Sequence, residues 1–292
     1  MENAYDRKAE DLGNIVSLEH VNVRIPDQRI ATIFYVSGMG LTRDPYLMTG
    51  VTNMWVNIGR SQIHMPTGRP DVLRGHVGLV LPDREALLKR LAQVEGDLDG
   101  TQFGYTEQET FVEVTSPWGN RMRCFEPDPA FGRITLGMPY VEFDVPVDSS
   151  AAIARFYREV LGSRAEASED EFGHFASCSV GDHQKFIFRE TDRPIPDFDG
   201  HHVQVYLANF SGPHQQLDER GLVFEESDQW QYRFKDIVDL DSGEVLYTIE
   251  HEVRSMTHPL YARRLVNRNP AQSNSEFAAG HEERPWTSAY RA

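Results

Sequence analysis

The sequence predicts an α+β protein made of four βαβββ units, here called modules 1 to 4, which form two tandem domains. The strongest observation is an internal repeat, because the segment around His76 returns around His202, 126 positions later. Three pairs of segments keep their order and spacing: residues 18–26 with 138–146, residues 75–81 with 201–207, and the hairpin glycine Gly119 with Gly243. A duplication that preserves order and spacing indicates two domains of one fold.

Within each module the apolar pattern changes from that of a strand to that of a helix and back. Residues 21–25 alternate apolar and polar side chains, which predicts a strand. Residues 84–94 place Leu87 and Leu91 on one stripe, which predicts a helix. The predicted helices span residues 30–39, 84–94, 149–161 and 211–220, and predicted strands include 53–57, 62–65, 110–114, 121–125, 139–146, 202–207, 231–239 and 244–253.

Proline and glycine divide the chain into its predicted parts. Pro127, Pro129 and Gly132 mark a boundary between a first domain at residues 15–128 and a second at residues 136–253. Each domain is long enough to bury a core of its own. We expect residues 254–292 to form a C-terminal tail that wraps the surface or is mobile near its end.

The composition is that of a soluble globular protein with no nucleic-acid or membrane partner. The formal net charge of −16 argues against binding to a polyanion. No apolar run approaches the roughly 18 residues that a membrane span needs, and the first residues lack a signal sequence. Cys124 and Cys178 fall in predicted strands, and we predict that both are free thiols in the core. Because free thiols are typical of a reducing compartment, we expect a cytoplasmic location.

Four short segments resemble the vicinal oxygen chelate superfamily, which includes glyoxalase I, bleomycin-resistance proteins and extradiol dioxygenases. The segments are residues 19–23 (EHVNV), 75–79 (GHVGL), 201–205 (HHVQV) and the hairpin at 116–121 (SPWGNR). The resemblance covers about residues 15–253. It implies that paired modules curl into half-open barrels whose concave faces carry the functional side chains. The two-domain length is more similar to the ring-cleaving dioxygenases than to the short glyoxalases.

Strand alternation indicates which side chains lie on those concave faces. In the first strand the apolar Val21 and Val23 point away, which leaves His20 inside. The same argument applied to the other strands adds Asn22, Arg24, Tyr140, Glu142, Asp144, His76, His202, Gln204 and Tyr206. Gln62 and His64 share a face of their strand, and the sequence leaves open which face it is.

The resemblance implies a divalent metal site made of a first-strand histidine, a fifth-strand histidine and an eighth-strand glutamate. The first domain has His20 and His76, but Arg123 stands where the glutamate is expected. The second domain has His202, but Tyr140 replaces the first histidine. Its last strand aims Glu250 at the concave face because the alternate positions are more apolar. Fe(II) is the expected ion, with Mn(II) or Zn(II) as alternatives.

Two pairings of the modules give two different ligand sets. If module 1 pairs with module 4, the metal ligands are His20, His202 and Glu250. If module 1 pairs with module 2, the site holds His20 and His76, with His64 as a further candidate and no well-placed carboxylate. His76 is therefore either a ligand or a relic of the duplication, and strand histidines are more often structural than metal-binding.

The remaining polar side chains are assigned by the same resemblance. Tyr206 and His64 are candidate catalytic residues that orient substrate or move protons. Gln204, Tyr140 and Arg123 are candidate substrate-binding residues. A solvated edge or a lost metal site accounts equally well for Tyr140 and Arg123.

Three functions are compatible with this pattern. The first is a metal-dependent dioxygenase that cleaves the ring of a small aromatic diol, of the extradiol or hydroquinone type. The second is a glyoxalase-like or epimerase-like enzyme that stabilises a bound enediolate on its metal. The third is a metal-free protein that sequesters a small molecule. A homo-oligomer is compatible with the sequence, and no feature of the sequence decides it.

Overall fold

The computed structural model describes residues 5–47 and 51–268, which form sixteen strands and four α-helices in the order of four βαβββ modules. Module 1 contains β1 (Ile15–Asn22), α1 (Gln28–Ala31), β2 (Thr42–Arg43), β3 (Asn53–Ile58) and β4 (Ser61–Pro66). Module 2 contains β5 (Gly75–Val80), α2 (Arg84–Val94), β6 (Gly104–Glu107), β7 (Phe111–Thr115) and β8 (Arg121–Phe125). The predicted α+β class is confirmed.

The second half repeats this scheme. Module 3 contains β9 (Gly137–Pro146), α3 (Ser150–Glu159), β10 (Ala165–Asp170), β11 (Gly173–Gly181) and β12 (Gln184–Thr191). Module 4 contains β13 (His202–Leu207), α4 (Ser211–Asp218), β14 (Val223–Asp228), β15 (Gln231–Val238) and β16 (Val245–Ser255). No helix among the described residues is long and apolar enough to cross a membrane.

Aspartate side chains cap the first two α-helices. The predicted helix at 84–94 is confirmed as α2, and Asp83 caps it by accepting a hydrogen bond from the backbone N–H of Ala86. The predicted helix at 30–39 begins earlier, because Asp27 caps α1. It then widens into a π-helical segment at Thr32–Gly38. Apolar spacing alone does not distinguish that wider turn from an α-helix.

The strands form two eight-stranded sheets. The first has the order β14-β15-β16-β13-β1-β4-β3-β2, and the second has the order β10-β11-β12-β9-β5-β8-β7-β6. Module 1 therefore shares a sheet with module 4, and module 2 shares one with module 3. Of the two pairings that the sequence left open, the structure has the one that joins the first module to the last.

The described chain divides into two compact units that cut across the modules. Unit A comprises residues 19–143, 196–204 and 262–268, and unit B comprises residues 5–18, 144–195 and 205–261. This division tests neither of the predicted domain ranges, 15–128 and 136–253, which stay predictions. Part of the predicted tail, residues 269–292, lies outside the described residues.

Both cysteines lie in the core as free thiols. Cys124 and Cys178 are buried, and burial raises the pKa of each thiol well above its ordinary value. A thiol that stays protonated is a poor nucleophile and a poor metal ligand. The prediction that they are core residues is confirmed.

The core of unit B contains a histidine with no access to water. His251 stacks on Phe234 at 4.2 Å between ring centroids. Its Nδ1 donates to the Ile249 carbonyl, and its Nε2 accepts from the Tyr157 hydroxyl at 2.5 Å. Burial lowers the pKa of His251 to about 3, although the bond to Ile249 opposes the shift. The ring is therefore neutral in the folded protein over the whole physiological range.

This neutral ring makes stability fall on acidification. Below about pH 6.5 the unfolded chain binds a proton at His251 and the folded chain does not, so falling pH favours unfolding. We expect this group alone to remove about 2 kcal/mol of unfolding free energy between pH 7 and pH 5. Urea unfolding at both pH values checks this, with His251→Gln as the comparison. An equal pH dependence in wild type and variant would contradict the assignment.

Candidate metal centre

The pairing of three neighbouring strands in unit A places a row of polar side chains on one face. In the parallel pair β1–β4, His20 lies opposite Gln62 and Asn22 lies opposite His64. In the antiparallel pair β3–β4, Trp55 lies opposite His64. Paired residues project to the same side of a sheet. This side, called the histidine face below, carries His20, Asn22, Trp55, Asn57, Gln62 and His64.

Three histidines converge at this face. His20, His64 and His202 each offer a ring nitrogen, and these three atoms lie within 4.8 Å of one another. The ring centroid of His20 lies 5.6 Å from that of His64 and 5.7 Å from that of His202. Imidazole nitrogens bind a divalent ion at about 2.1 Å, so small side-chain rotations bring all three onto one ion. The three residues form a candidate metal centre.

Two asparagines and a tryptophan fix the ring of His64. Asn22 Nδ2 donates to His64 Nδ1 at 2.7 Å, and His64 Nε2 donates to Asn53 Oδ1 at 2.8 Å. The indole of Trp55 stacks on the imidazole at 3.6 Å between centroids, with 12° between the planes. If Nδ1 exchanges Asn22 for a metal ion, the bond to Asn53 still fixes the tautomer. Metal-binding histidines commonly donate their second nitrogen in this way.

The carboxylate of Glu19 lies next to Nδ1 of His20. The ring is fully buried, and Nδ1 lies 3.4 Å from a carboxylate oxygen of Glu19, which is itself buried. This arrangement directs Nε2 of His20 away from Glu19 and brings negative charge near the histidines. A set of neutral imidazoles suits Zn, Cu, Fe or Ni ions, so the residues present fit a divalent transition metal.

A buried amide lies on the strand that carries His202. Gln204 is two residues further along β13, on the same face of that strand, and it is fully buried. Neither its Oε1 nor its Nε2 has a hydrogen-bond partner among the described residues. A buried polar group in this condition requires an explanation, and a bound molecule that completes its hydrogen bonds is one.

A second buried glutamine on the histidine face is fully hydrogen-bonded. Gln62 Nε2 donates to Asp44 at 3.1 Å and to Asn57 at 2.6 Å, and its Oε1 accepts from Arg263 at 3.3 Å. Arg263 also donates to Asp44 at 2.8 Å. Burial by itself raises the pKa of Asp44. The hydrogen bonds from the Arg263 side chain and from the backbone N–H groups of Leu47 and Tyr46 outweigh burial, so the pKa lies below its ordinary value.

The segment that supplies Arg263 is tied to unit A at several points. Asn267 makes two bonds to the backbone of Gly59, at 3.0 and 2.8 Å, and Asn57 donates to the carbonyl of Val266. The backbone N–H of Arg268 donates to the Thr42 hydroxyl. Residues 262–268 therefore form a fixed segment along β2, β3 and β4.

Solved structures with this architecture identify the fold. Glyoxalase I from Zea mays matches with a TM-score of 0.56 and 12% identity, over 82% of this chain and 92% of that chain. The "putative dioxygenase" from Bacillus subtilis matches with a TM-score of 0.52 and 14% identity, over 83% and 85%. The chain has a glyoxalase-like fold. No family model and no curated protein sequence matches it.

Two residues that this superfamily resemblance nominated lie in unit B. Glu250 forms an ion pair with Arg233 at 2.5 Å, and Arg233 also pairs with Glu252 and Glu225. The predicted role of Glu250 as a ligand is not tested by these contacts. The ring of Tyr206 is 2% exposed and packs edge-on against Tyr261 at 4.9 Å, and its catalytic role also stays a prediction.

Three further predicted site residues, His76, Tyr140 and Arg123, lie together on the second sheet. His76 Nε2 lies 3.2 Å from the Tyr140 hydroxyl, and His76 Nδ1 lies 3.8 Å from Glu142. Burial raises the pKa of Tyr140 above its ordinary value, against the influence of Arg123, which hydrogen-bonds the phenol. The structure thus gathers His76, Tyr140 and Arg123 in one cluster on the second sheet.

The sequence assigned no role to the residues that support the three histidines. Asn53 and Asn22 hold His64, Glu19 borders His20, and Asp44 anchors the network around Gln62. Strand alternation places Asn22 on the concave face but gives it no role. The signal that would have found Asn53 is the hairpin register of β3 and β4, since it places Asn53 diagonally from His64.

Removal of Arg263 tests the buried network. The side chain of Asp44 is fully buried, so Arg263→Leu leaves a buried carboxylate without its cation. We expect a loss of about 3 kcal/mol in unfolding free energy. Arg69→Leu changes an exposed arginine elsewhere in unit A and should alter stability by less than about 0.5 kcal/mol. Equal effects of the two variants in urea unfolding would show that the network adds no stability.

Proposed function

We propose that this protein is a divalent-metal-dependent enzyme that cleaves the ring of a small aromatic diol with dioxygen. The observation that carries the proposal is the convergence of His20, His64 and His202, whose ligand atoms lie within 4.8 Å of one another. Fe(II) is the ion we propose, since imidazole ligands that leave coordination positions open are suited to oxygen chemistry. A cytoplasmic location remains part of this proposal.

The side chains around the histidines have distinct roles in the proposed reaction. A bound metal ion supplies a Lewis acid that favours the deprotonated form of a substrate hydroxyl. His20, His64 and His202 hold that ion, and Trp55 keeps the plane of His64 fixed by stacking. The burial of His20 and Gln204 excludes water from the reacting oxygens.

Proton movement requires a group outside the ligand set. Tyr206 lies on the same face of β13 as His202 and Gln204, so its hydroxyl is the proposed proton donor and acceptor. Tyr140 and Arg123 already bind each other on the second sheet. Their proposed contribution is to fill that sheet's corresponding face with protein rather than to hold the reacting substrate.

Metal content and oxygen consumption test the function together. Protein purified without chelator should hold about one iron per chain and consume oxygen with catechols or hydroquinones. His20→Ala and His202→Ala should lose both, because each removes a ligand. His183→Asn, which changes an exposed hairpin histidine, should lose neither. Zinc or nickel without oxygen uptake would favour a glyoxalase-like isomerase, and no metal in any preparation would favour a binding protein.

A second pair of variants tests whether His64 or Glu250 is the third ligand. Losing a group that merely orients a ligand costs about 10- to 100-fold in metal affinity, so losing a direct ligand should cost more than roughly 100-fold. We expect His64→Ala to show that larger loss. Glu250→Gln should weaken stability through Arg233 and leave metal affinity within about tenfold. Calorimetric titration with Zn(II) measures both, and the reverse order would make Glu250 the ligand.

A further inference from the structure

Two fully buried glutamines, Gln62 and Gln204, differ in whether their amide groups are hydrogen-bonded. Gln62 has hydrogen-bond partners for both of its amide atoms: Asp44, Asn57 and Arg263. Gln204 is equally buried, but neither of its amide atoms has a hydrogen-bond partner among residues 5–47 and 51–268. A buried amide in this condition destabilises the folded protein unless another molecule supplies the partners.

The internal repeat places Gln204 beside the three histidines. Gln204 corresponds to Gly78, just as His202 corresponds to His76. In the second sheet β5 pairs Gly78 with Tyr140, and Tyr140 is the counterpart of His20. The repeat therefore places Gln204 across from His20, on the face where the three histidines converge.

In the second sheet, the phenol of Tyr140 fills the corresponding face. The ring of Tyr140 lies directly over Gly78, where an added Cβ would clash with the ring. Its hydroxyl lies 3.2 Å from Nε2 of His76, which is the counterpart of His202. A phenol thus sits next to the fifth-strand histidine of the second sheet. In the first sheet His20 stands at the position of Tyr140 and Gln204 at that of Gly78, so an imidazole and an amide replace the phenol.

The chemistry of an amide restricts what can complete it. Gln204 needs an acceptor for its Nε2–H and a donor for its Oε1, and a hydroxyl group supplies both. A carboxylate or a phenolate only accepts, and an ether only accepts. We propose that Gln204 is a specificity-determining residue that binds a ring hydroxyl of the substrate, one that stays protonated and is not held by the metal. This deepens the proposed function and rests on it for the identity of the ligand as a hydroxylated ring.

The first test needs neither metal nor activity. In the ligand-free protein, Gln204→Leu removes a buried polar group without partners, so the melting temperature should stay the same or rise. Gln62→Leu breaks a satisfied network at the same depth and should lower the melting temperature by several degrees, roughly 2–4 °C or more. A drop for Gln204→Leu as large as that for Gln62→Leu would show a structural amide and overturn the proposal.

The second test compares two ligands that differ by one hydrogen-bond donor. Hydroquinone and 4-methoxyphenol share a ring and one hydroxyl, but the methoxy oxygen can only accept. Calorimetric titration of the Zn(II)-loaded protein should show hydroquinone binding at least about tenfold more tightly, and Gln204→Leu should abolish that preference. An unchanged preference in the variant overturns the proposal.

Separate measurements of metal binding and ligand binding distinguish a failure of this inference from a failure of the proposed function. Zn(II) binding is measured first, and its absence contradicts the metal enzyme alone. The same two ligands are then titrated into the metal-free protein, where Gln204 has the same unfilled hydrogen-bonding capacity. A hydroquinone preference that depends on Gln204 supports the inference with or without metal, and equal binding of both ligands by the wild type overturns it.

Discussion

The hydrogen-bonded register between β1 and β4 is the constraint on which the candidate site depends. It sets His20 beside Gln62 and Asn22 beside His64, and the β3–β4 hairpin adds Trp55 to the same face. Successive residues of a strand point to opposite faces, so a slip by one residue would send the histidines into the apolar side. Val21 and Ile63, which are paired and buried there, resist such a slip.

Several polar side chains at this depth are tolerated because they hydrogen-bond to one another. Asp44, Gln62 and Arg263 satisfy one another across segments that are far apart in the chain, and Asn22 and Asn53 do the same for His64. The result is a rigid polar wall around the imidazoles rather than a flexible one. Against that background, both amide atoms of Gln204 lack a hydrogen-bond partner among the described residues.

Local sequence patterns predicted much of this fold and part of the site. The repeat, the βαβββ order and α2 follow from periodicity, and alternation placed His20 and His202 on one face of their strands. Other features depend on tertiary pairing. The face of His64 was ambiguous because both sides of β4 are largely buried, and the partner of Glu250, Arg233, comes from the neighbouring strand in a register that alternation does not specify. The choice between the two module pairings required the strand order itself.

The stacking of Trp55 on His64 has a practical consequence. An indole held 3.6 Å from an imidazole, with the planes nearly parallel, is in electronic contact with that ring. Its ultraviolet emission should therefore respond when the charge on the imidazole changes or when an ion with unpaired electrons settles nearby. The protein carries an optical reporter within its candidate site, so occupancy can be followed in real time without a label and before any substrate is known.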